Sequence, residues 1–317
     1  MVLTVVAVIV ALLMSNGGGG GSFNPNGSPS EVAKAYLEAL SRGDAQAALD
    51  LSATQPASTE LLTNEILKLQ LEKLPITDVE VLGEERKPED YKRTSTVKVA
   101  AKYGGQRTEG QLAVVVVDNQ WKLSASFVEA TVEKVKGLPK DVQPVEKSLT
   151  VFGKPIPQSL HFYVFPGYLQ MGSTAANFNI NELPPTTFDD VSGYAALGEI
   201  KPKFSMTDAG RQAAQDAIRA WIDKCYNGAP RTGECKDAGD YSKYYVEGTM
   251  RVRGPVDLST VNFKLPDYTT VVRVSNLKIP ITAVDVNTGK VADSDLSASD
   301  FLSVNIGEQP PRVFKAG

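Results

Sequence analysis

Apolar and polar positions in this chain alternate between two rhythms, and the changes of rhythm mark its elements. From Ser28 onward, Val32, Tyr36, Leu37 and Leu40 recur at helical spacing, with Lys34, Glu38 and Arg42 on the other side. Ser28-Pro29-Ser30-Glu31 reads as a capping box: Ser28 caps orphan N–H groups, Pro29 suits the first turn and Glu31 reaches back. Gly43 ends this helix, and Asp44 caps a short second one carrying Ala48, Leu49 and Leu51. A third is predicted to start at Ser58 and to run through Leu61, Leu62, Ile66, Leu69 and Leu74 to Pro75. After Pro75 the period becomes two, predicting strands at 76–82, 94–103, 111–117 and 121–128, the last two joined by a tight turn at Asp118-Asn119-Gln120. Helices followed by antiparallel strands predict an α+β layer, with the sheet curled around the first helix.

Beyond Gly137-Leu138-Pro139 and Pro144, the segments "LTVFGKPIP", "HFYVFPGYLQMGS" and "NFNINE" predict short strands with a turn at Pro166-Gly167. A further helix is predicted after Thr207, with Ala214, Ala217, Ile218 and Trp221 on one face up to Cys225. Strands are predicted to follow at 244–253, 261–263, 269–274, 278–284 and 301–306. The predicted organisation is a leader over 1–28, an α+β domain over 29–135, a small β module with linker over 145–200, and a C-terminal α+β domain over 201–317.

Charge sharpens the first boundary. The chain has 33 Lys+Arg and 37 Asp+Glu, yet none lies before Glu31. The leader is instead an apolar run from Val2 to Met14, broken by Thr4, then Gly17 to Gly21 and a polar stretch. It lacks the basic start of a signal peptide, so the preferred reading is part of a longer membrane-spanning helix that continues upstream of Met1; a cleaved or unusual signal segment is the alternative. Either sends the remainder outside the cytoplasm, with the glycines as a flexible tether. Net charge of −4 argues against general nucleic-acid binding. Cys225 and Cys235 are separated by a loop-like segment containing Asn227, Gly228, Pro230 and Gly233, and a disulfide between them is expected. Two cysteines and one His do not supply a zinc site.

Two stretches carry a resemblance. "AKAYLEALSRGDAQAALDLS", a helix, "PITDVEV" and a hairpin ending "VVVVDNQWKLSAS" resemble the cystatin-like or nuclear-transport-factor-like α+β cone. More narrowly, they resemble its extracytoplasmic version in membrane-anchored envelope proteins of high-GC Gram-positive bacteria. The "FPG-Y" segment and "MTDAGRQAAQDAIRAWIDKC" are similar to later parts of the same proteins. The resemblance implies a tethered envelope protein whose partners are envelope proteins or cell-wall components.

Candidate chemistry is sparse. A nucleophilic triad needs a His beside Ser or Cys, and the lone His161 falls among Phe162, Tyr163 and Phe165 in a predicted strand. Carboxylate pairs occur at Glu84-Glu85, Glu89-Asp90, Asp189-Asp190 and Asp293/Asp295, the first three in loop-like sequence. Asp293-Ser294-Asp295 begins like a calcium loop but has Ala298 and Val304 where Gly and Glu belong, so Asp295 or Ser297 is expected to cap a helix instead. The predicted inward set of the first domain is Tyr36, Leu40, Val97, Val99, Val114, Val116, Trp121 and Leu123, almost wholly apolar. Tyr36 and Trp121 are its candidates for ligand contact; no catalytic residue, metal or cofactor is expected. Three functions follow: a non-catalytic envelope-binding protein first, then a small-molecule carrier or sensor using the apolar cone, then a carboxylate-based enzyme. Tyr241, Tyr244 and Tyr245 are further candidates for a contact surface.

Overall fold

A computed structural model of the chain describes residues 27–85, 94–134, 145–186, 196–230, 232–235, 238–297 and 302–315. The leader, with its apolar run and glycine tether, lies outside the described residues, as do Glu89-Asp90 and Asp189-Asp190. Among the described residues no helix is long and apolar enough to cross a membrane. Helices and several antiparallel sheets are both present, an α+β mixture. By packing, the described chain divides into two compact units, one built from 27–57 and 63–127, the other from 58–62, 128–186 and 196–315.

In the first unit, helix α1 (Pro29–Arg42) begins with the full capping box: the Ser28 hydroxyl accepts from the Glu31 N–H, and the Ser28 N–H donates back to the Glu31 carboxylate at 2.7 Å. It ends at Gly43, whose φ of 73° lets the chain turn and its N–H cap the last carbonyls. Helix α2 (Ala45–Asp50) is capped by Asp44. Helix α3 (Asn64–Lys73) starts six residues later than the sequence predicts, because the Thr63 hydroxyl, not Ser58, accepts from the Ile66 N–H. Strands β1 (Ile76–Glu85), β2 (Thr94–Tyr103), β3 (Gln106–Val117) and β4 (Gln120–Leu123) form an antiparallel meander in that order. Asp118 and Asn119 both adopt positive φ, so β3 and β4 join through the two-residue turn whose twist suits a hairpin.

Helix α1 packs across all four strands. Val32, Tyr36, Leu37 and Leu40 meet Val97, Val99, Leu112, Val114 and Leu123, all essentially without solvent exposure. Each such aliphatic side chain contributes about 1.5–3 kcal/mol by leaving water. Val116 and Trp121 pair across β3 and β4 but remain half-buried, unlike the rest of the predicted inward set, because they sit beside the turn at the sheet's end. Glu84 and Glu85 lie on β1 rather than in a loop, where Glu84 accepts from the Ser30 hydroxyl and Glu85 pairs with Lys98.

The second unit is assembled from short strands that find distant partners. β5 (Val128–Val132) starts at the last residue predicted for the fourth strand of the first domain, and it is central in its own sheet. β6 (Leu149–Val151), β7 (Lys154–Pro155), β8 (His161–Val164), β9 (Met171–Ser173) and β10 (Phe178–Ile180) follow. Then come β11 (Ala196–Ile200), β12 (Phe204–Met206) and helix α4 (Asp208–Cys225). β5 is flanked by β8, antiparallel, and β11, parallel, while β6 lies between β7 and β9. The Pro166-Gly167 turn therefore does not close a hairpin. β8 and β9 on either side of it belong to different sheets, since each has a better-matched partner elsewhere.

Helix α4 is capped by the Thr207 hydroxyl and buries Gly210, Ala214, Ile218, Trp221, Ile222 and Cys225 at helical spacing. Gly210 is required, because a Cβ there would overlap the backbone carbonyl of Asn177. Two further sheets complete the unit. One runs β13 (Arg251–Val252), β16 (Lys278–Val284), β17 (Val291–Ser297); the other β14 (Asn262–Lys264), β15 (Val271–Ser275), β18 (Leu302–Asn305), β19 (Arg312–Lys315). The expected strand over 244–253 shrinks to two residues, because Tyr244 and Tyr245 both turn their N–H groups onto the Tyr241 carbonyl. Asp295 and Ser297 are not helix caps. Both lie in β17, held by a full antiparallel register against β16.

Candidate functional site

Cys225 and Cys235 form a disulfide, with their Cα atoms 5.2 Å apart. Both are nearly inaccessible, so the bridge is a packed element of the second unit. The loop it closes is short, and its contribution by the chain-entropy argument is about 2–3 kcal/mol. Tyr226, next to the bridge, is also buried and donates from its hydroxyl to the Ala238 carbonyl at 2.7 Å. Its ring meets Trp221 of α4 edge-on at 5.5 Å between centroids and Tyr241 at 6.4 Å. Bridge, hydrogen bond and rings together fix the segment from 238 onward against the end of α4.

That segment encloses a cleft of about 420 Å³. It is lined by Cys225 and Met250, both buried, and by the more accessible Tyr241, Tyr245 and Glu247. The Tyr241 ring packs against Gly239. Asp240 also lines the cleft, its Oδ1 accepting from the Ser242 N–H at 3.0 Å. Next to the cleft, Tyr244, Val246, Val286 and Val291 are exposed large apolar residues that the backbone gathers together: Val246 donates to the Val284 carbonyl, Val286 to that of Tyr244, and Val291 pairs with Val284. A clustered apolar surface beside a formed cleft is the feature expected of a contact site. The signal in the sequence was the run of tyrosines at 241, 244 and 245. The cleft itself could not be read there, because Cys225 at the end of α4 joins residues 239–250 in lining it.

No family model matches this chain. No curated protein matches it either. Among solved structures, a Campylobacter jejuni protein named as an NTF2-like transpeptidase is similar at 12% identity over 31% of this chain and 97% of its own, with a TM-score of 0.25. Its name agrees loosely with the nuclear-transport-factor-like resemblance, but a likeness at that TM-score carries no argument for fold or activity.

The other sequence candidates are placed as follows. Tyr36 is wholly buried in the first unit; its hydroxyl donates to the Ser126 carbonyl at 2.8 Å, and burial raises its pKa well above the usual tyrosine value. Trp121 lies half-buried on the sheet that α1 covers. His161 is exposed on β8, with Nδ1 3.0 Å from the Thr131 hydroxyl and 3.5 Å from the Glu129 carboxylate. Asp293 and Asp295 reach Arg253 across the sheet at 2.7 and 3.5 Å. The Asp293 pKa is lowered, first by the Thr282 hydroxyl, which donates to it at 2.7 Å, then by Arg253. This is an ion-paired sheet surface, and its carboxylates are engaged in holding it. Among the described residues no group of His, Cys, Asp and Glu is arranged to hold a metal.

Proposed function

We propose that the protein is a non-catalytic, membrane-tethered extracytoplasmic protein that binds other cell-envelope components, envelope proteins or cell-wall material, through the second unit. The single observation that carries this reading is the Cys225–Cys235 disulfide, because such bridges persist in oxidising compartments outside the cytoplasm. The uncharged leader of the sequence supports the same compartment. The first unit is read as a cystatin-like or nuclear-transport-factor-like cone that serves as a packed body. In that unit the alternative, a carrier or sensor binding through Tyr36 and Trp121, would require Tyr36 to give up its bond to Ser126. The second alternative, a carboxylate-based enzyme, could not use a thiol nucleophile, since both cysteines are bonded to each other.

The test is made in the native host. In intact cells a membrane-impermeant amine reagent should label lysines of the second unit, and non-reducing peptide mass spectrometry should find Cys225 linked to Cys235. Labelling only after lysis, together with free thiols, would overturn the reading. Purified protein should also sediment with cell-wall or envelope fractions, and Tyr244→Ala with Val291→Ser should weaken that association.

A further inference from the structure

The sheet of β13, β16 and β17 ends in an open edge. On the side away from β17, the Pro280 and Val284 carbonyls of β16 accept from the N–H groups of Arg253 and Val246, each at 2.8 Å. Successive residues of an antiparallel strand bond alternately to one neighbour and the other. β16 therefore bonds β17 through Ile279, Ile281 and Ala283, which stand opposite Leu296, Ser294 and Ala292. Val291, Asp293 and Asp295 direct their backbone N–H and C=O groups away from the sheet, and no described residue pairs with those groups. A row of unpaired backbone groups at strand spacing fits one kind of partner, another extended strand.

The side chains along that edge grade from apolar to acidic. Val291 is 70% exposed and lies beside the exposed Tyr244, Val246 and Val286, while Asp293 and Asp295 follow Val291 on its own face. The two carboxylates share one guanidinium, that of Arg253, and both side chains are more than half exposed. The aspartates disfavour one occupant, a second copy of this chain. Any antiparallel register of two copies that used three or more of Val291, Asp293, Asp295 and Ser297 would set aspartate opposite aspartate, which is destabilising. A strand with Lys or Arg opposite the aspartates and an apolar residue opposite Val291 meets the same row favourably.

We propose that β17 accepts an extended segment of a partner protein as an added antiparallel strand, with basic residues opposite Asp293 and Asp295 and an apolar residue opposite Val291. The inference rests on the reading of the second unit as a contact surface and names its mode of contact. The two fail separately. Free thiols in the native host would remove the envelope compartment and leave the edge as it is. Loss of strand addition would leave the surface of Tyr244 and Val291 to act through side chains alone.

The experiment is an amide-resolved NMR titration of the full chain with a capped peptide of alternating threonines, whose intervening residues are lysine, lysine and valine in that order. The amides of Val291, Asp293 and Asp295 should shift and exchange more slowly with solvent, with a dissociation constant of about 0.1–1 mM. Methylating the backbone nitrogen of the second lysine removes one donor and keeps its side chain, and should weaken binding about tenfold. Aspartates in place of both lysines should weaken it by a similar factor, about tenfold. In the protein, Asp293→Asn should weaken the lysine peptide about threefold, and about 1 M salt should erase that difference by screening. Undiminished binding of the methylated peptide would overturn strand addition in favour of side-chain contact. Equal affinity for the lysine and aspartate peptides would overturn the assignment of a basic partner. Shifts at the same amides on concentrating the protein alone would make the occupant a second copy, and no shifts up to about 5 mM peptide would leave the edge without one; either result overturns the proposal.

Discussion

The two units of this chain reach stability by different routes. The first places one amphipathic helix on a sheet whose four strands pair with their sequence neighbours, β1 with β2, β2 with β3, β3 with β4, and only a short bridge from Ser52 to Leu123 is remote among the described residues. The second draws partners from far along the chain. β5 takes β8 and β11, β15 takes β18, and a covalent bridge fixes the end of its helix. Local pairing costs little loop-closure entropy and lets hydrophobic alternation set register; distant pairing costs more and leaves short strands dependent on context. A disulfide compensates by restricting the unfolded chain.

That contrast can be broken by four changes. The largest effect should come from Leu40→Ala, which empties a fully buried position between α1 and the sheet. It should cost about 3 kcal/mol, measured as lost hydrogen-exchange protection in the amides of the first unit. A loss below about 1 kcal/mol would mean that α1 is not the organising element there. Replacing both Cys225 and Cys235 by Ala should cost about 2–3 kcal/mol in the second unit, read from denaturant midpoints of oxidised wild type against the double variant. Equal midpoints would show that the short strands hold without the bridge.

Tyr36→Phe should cost about 1 kcal/mol, the typical worth of a buried hydrogen bond. It also carries a pH signature. Because the folded pKa of Tyr36 is raised, its contribution is fully present below the unfolded value near 10 and is lost as pH climbs through the folded one. Wild type should lose stability on the alkaline side, and Tyr36→Phe should lose less. Parallel alkaline limbs would sink the assignment.

Asp293→Asn should have the smallest effect, since Asp293 and its partner Arg253 are both well exposed. Its lowered pKa puts any contribution above the unfolded aspartate value, to be lost as pH falls through the folded one. The variant should match wild type near neutrality, and a clear drop in melting temperature would show that the sheet needs its ion pairs.

The same contrast explains what was legible beforehand. Ser28-Pro29-Ser30-Glu31, Gly43 and Asp44 act within a few residues of themselves, so their roles could be read directly and the structure repeats them. The Asp118-Asn119 turn is equally local. Thr207 and the buried face of α4 were readable for the same reason. Errors gather where a partner is remote. The "FPG-Y" segment looked like a hairpin because Pro-Gly is a turn signal, yet β8 and β9 pair with β5 and β6. Asp295 and Ser297 suit a helix cap by residue type, yet both lie in β17, because its partner β16 supplies a complete antiparallel register. Tyr36 and Trp121 were singled out as aromatic members of an apolar set, but whether such a residue meets solvent or core depends on what packs over it.

By itself, the sequence determined the helix caps, the amphipathic faces of α1 and α4, the meander of the first unit and the closeness of Cys225 to Cys235. Each is fixed by interactions spanning a turn, a hairpin or a short loop, where residue type and spacing are sufficient. Only the tertiary structure decided which short strands of the second unit share a sheet, that Tyr36 spends its hydroxyl on Ser126, and that Tyr241, Tyr245 and Glu247 line one cleft with Cys225 and Met250. Those outcomes depend on groups far apart in the chain meeting at a few ångströms. No local pattern encodes that meeting, because it is selected by the packing free energy of the whole unit.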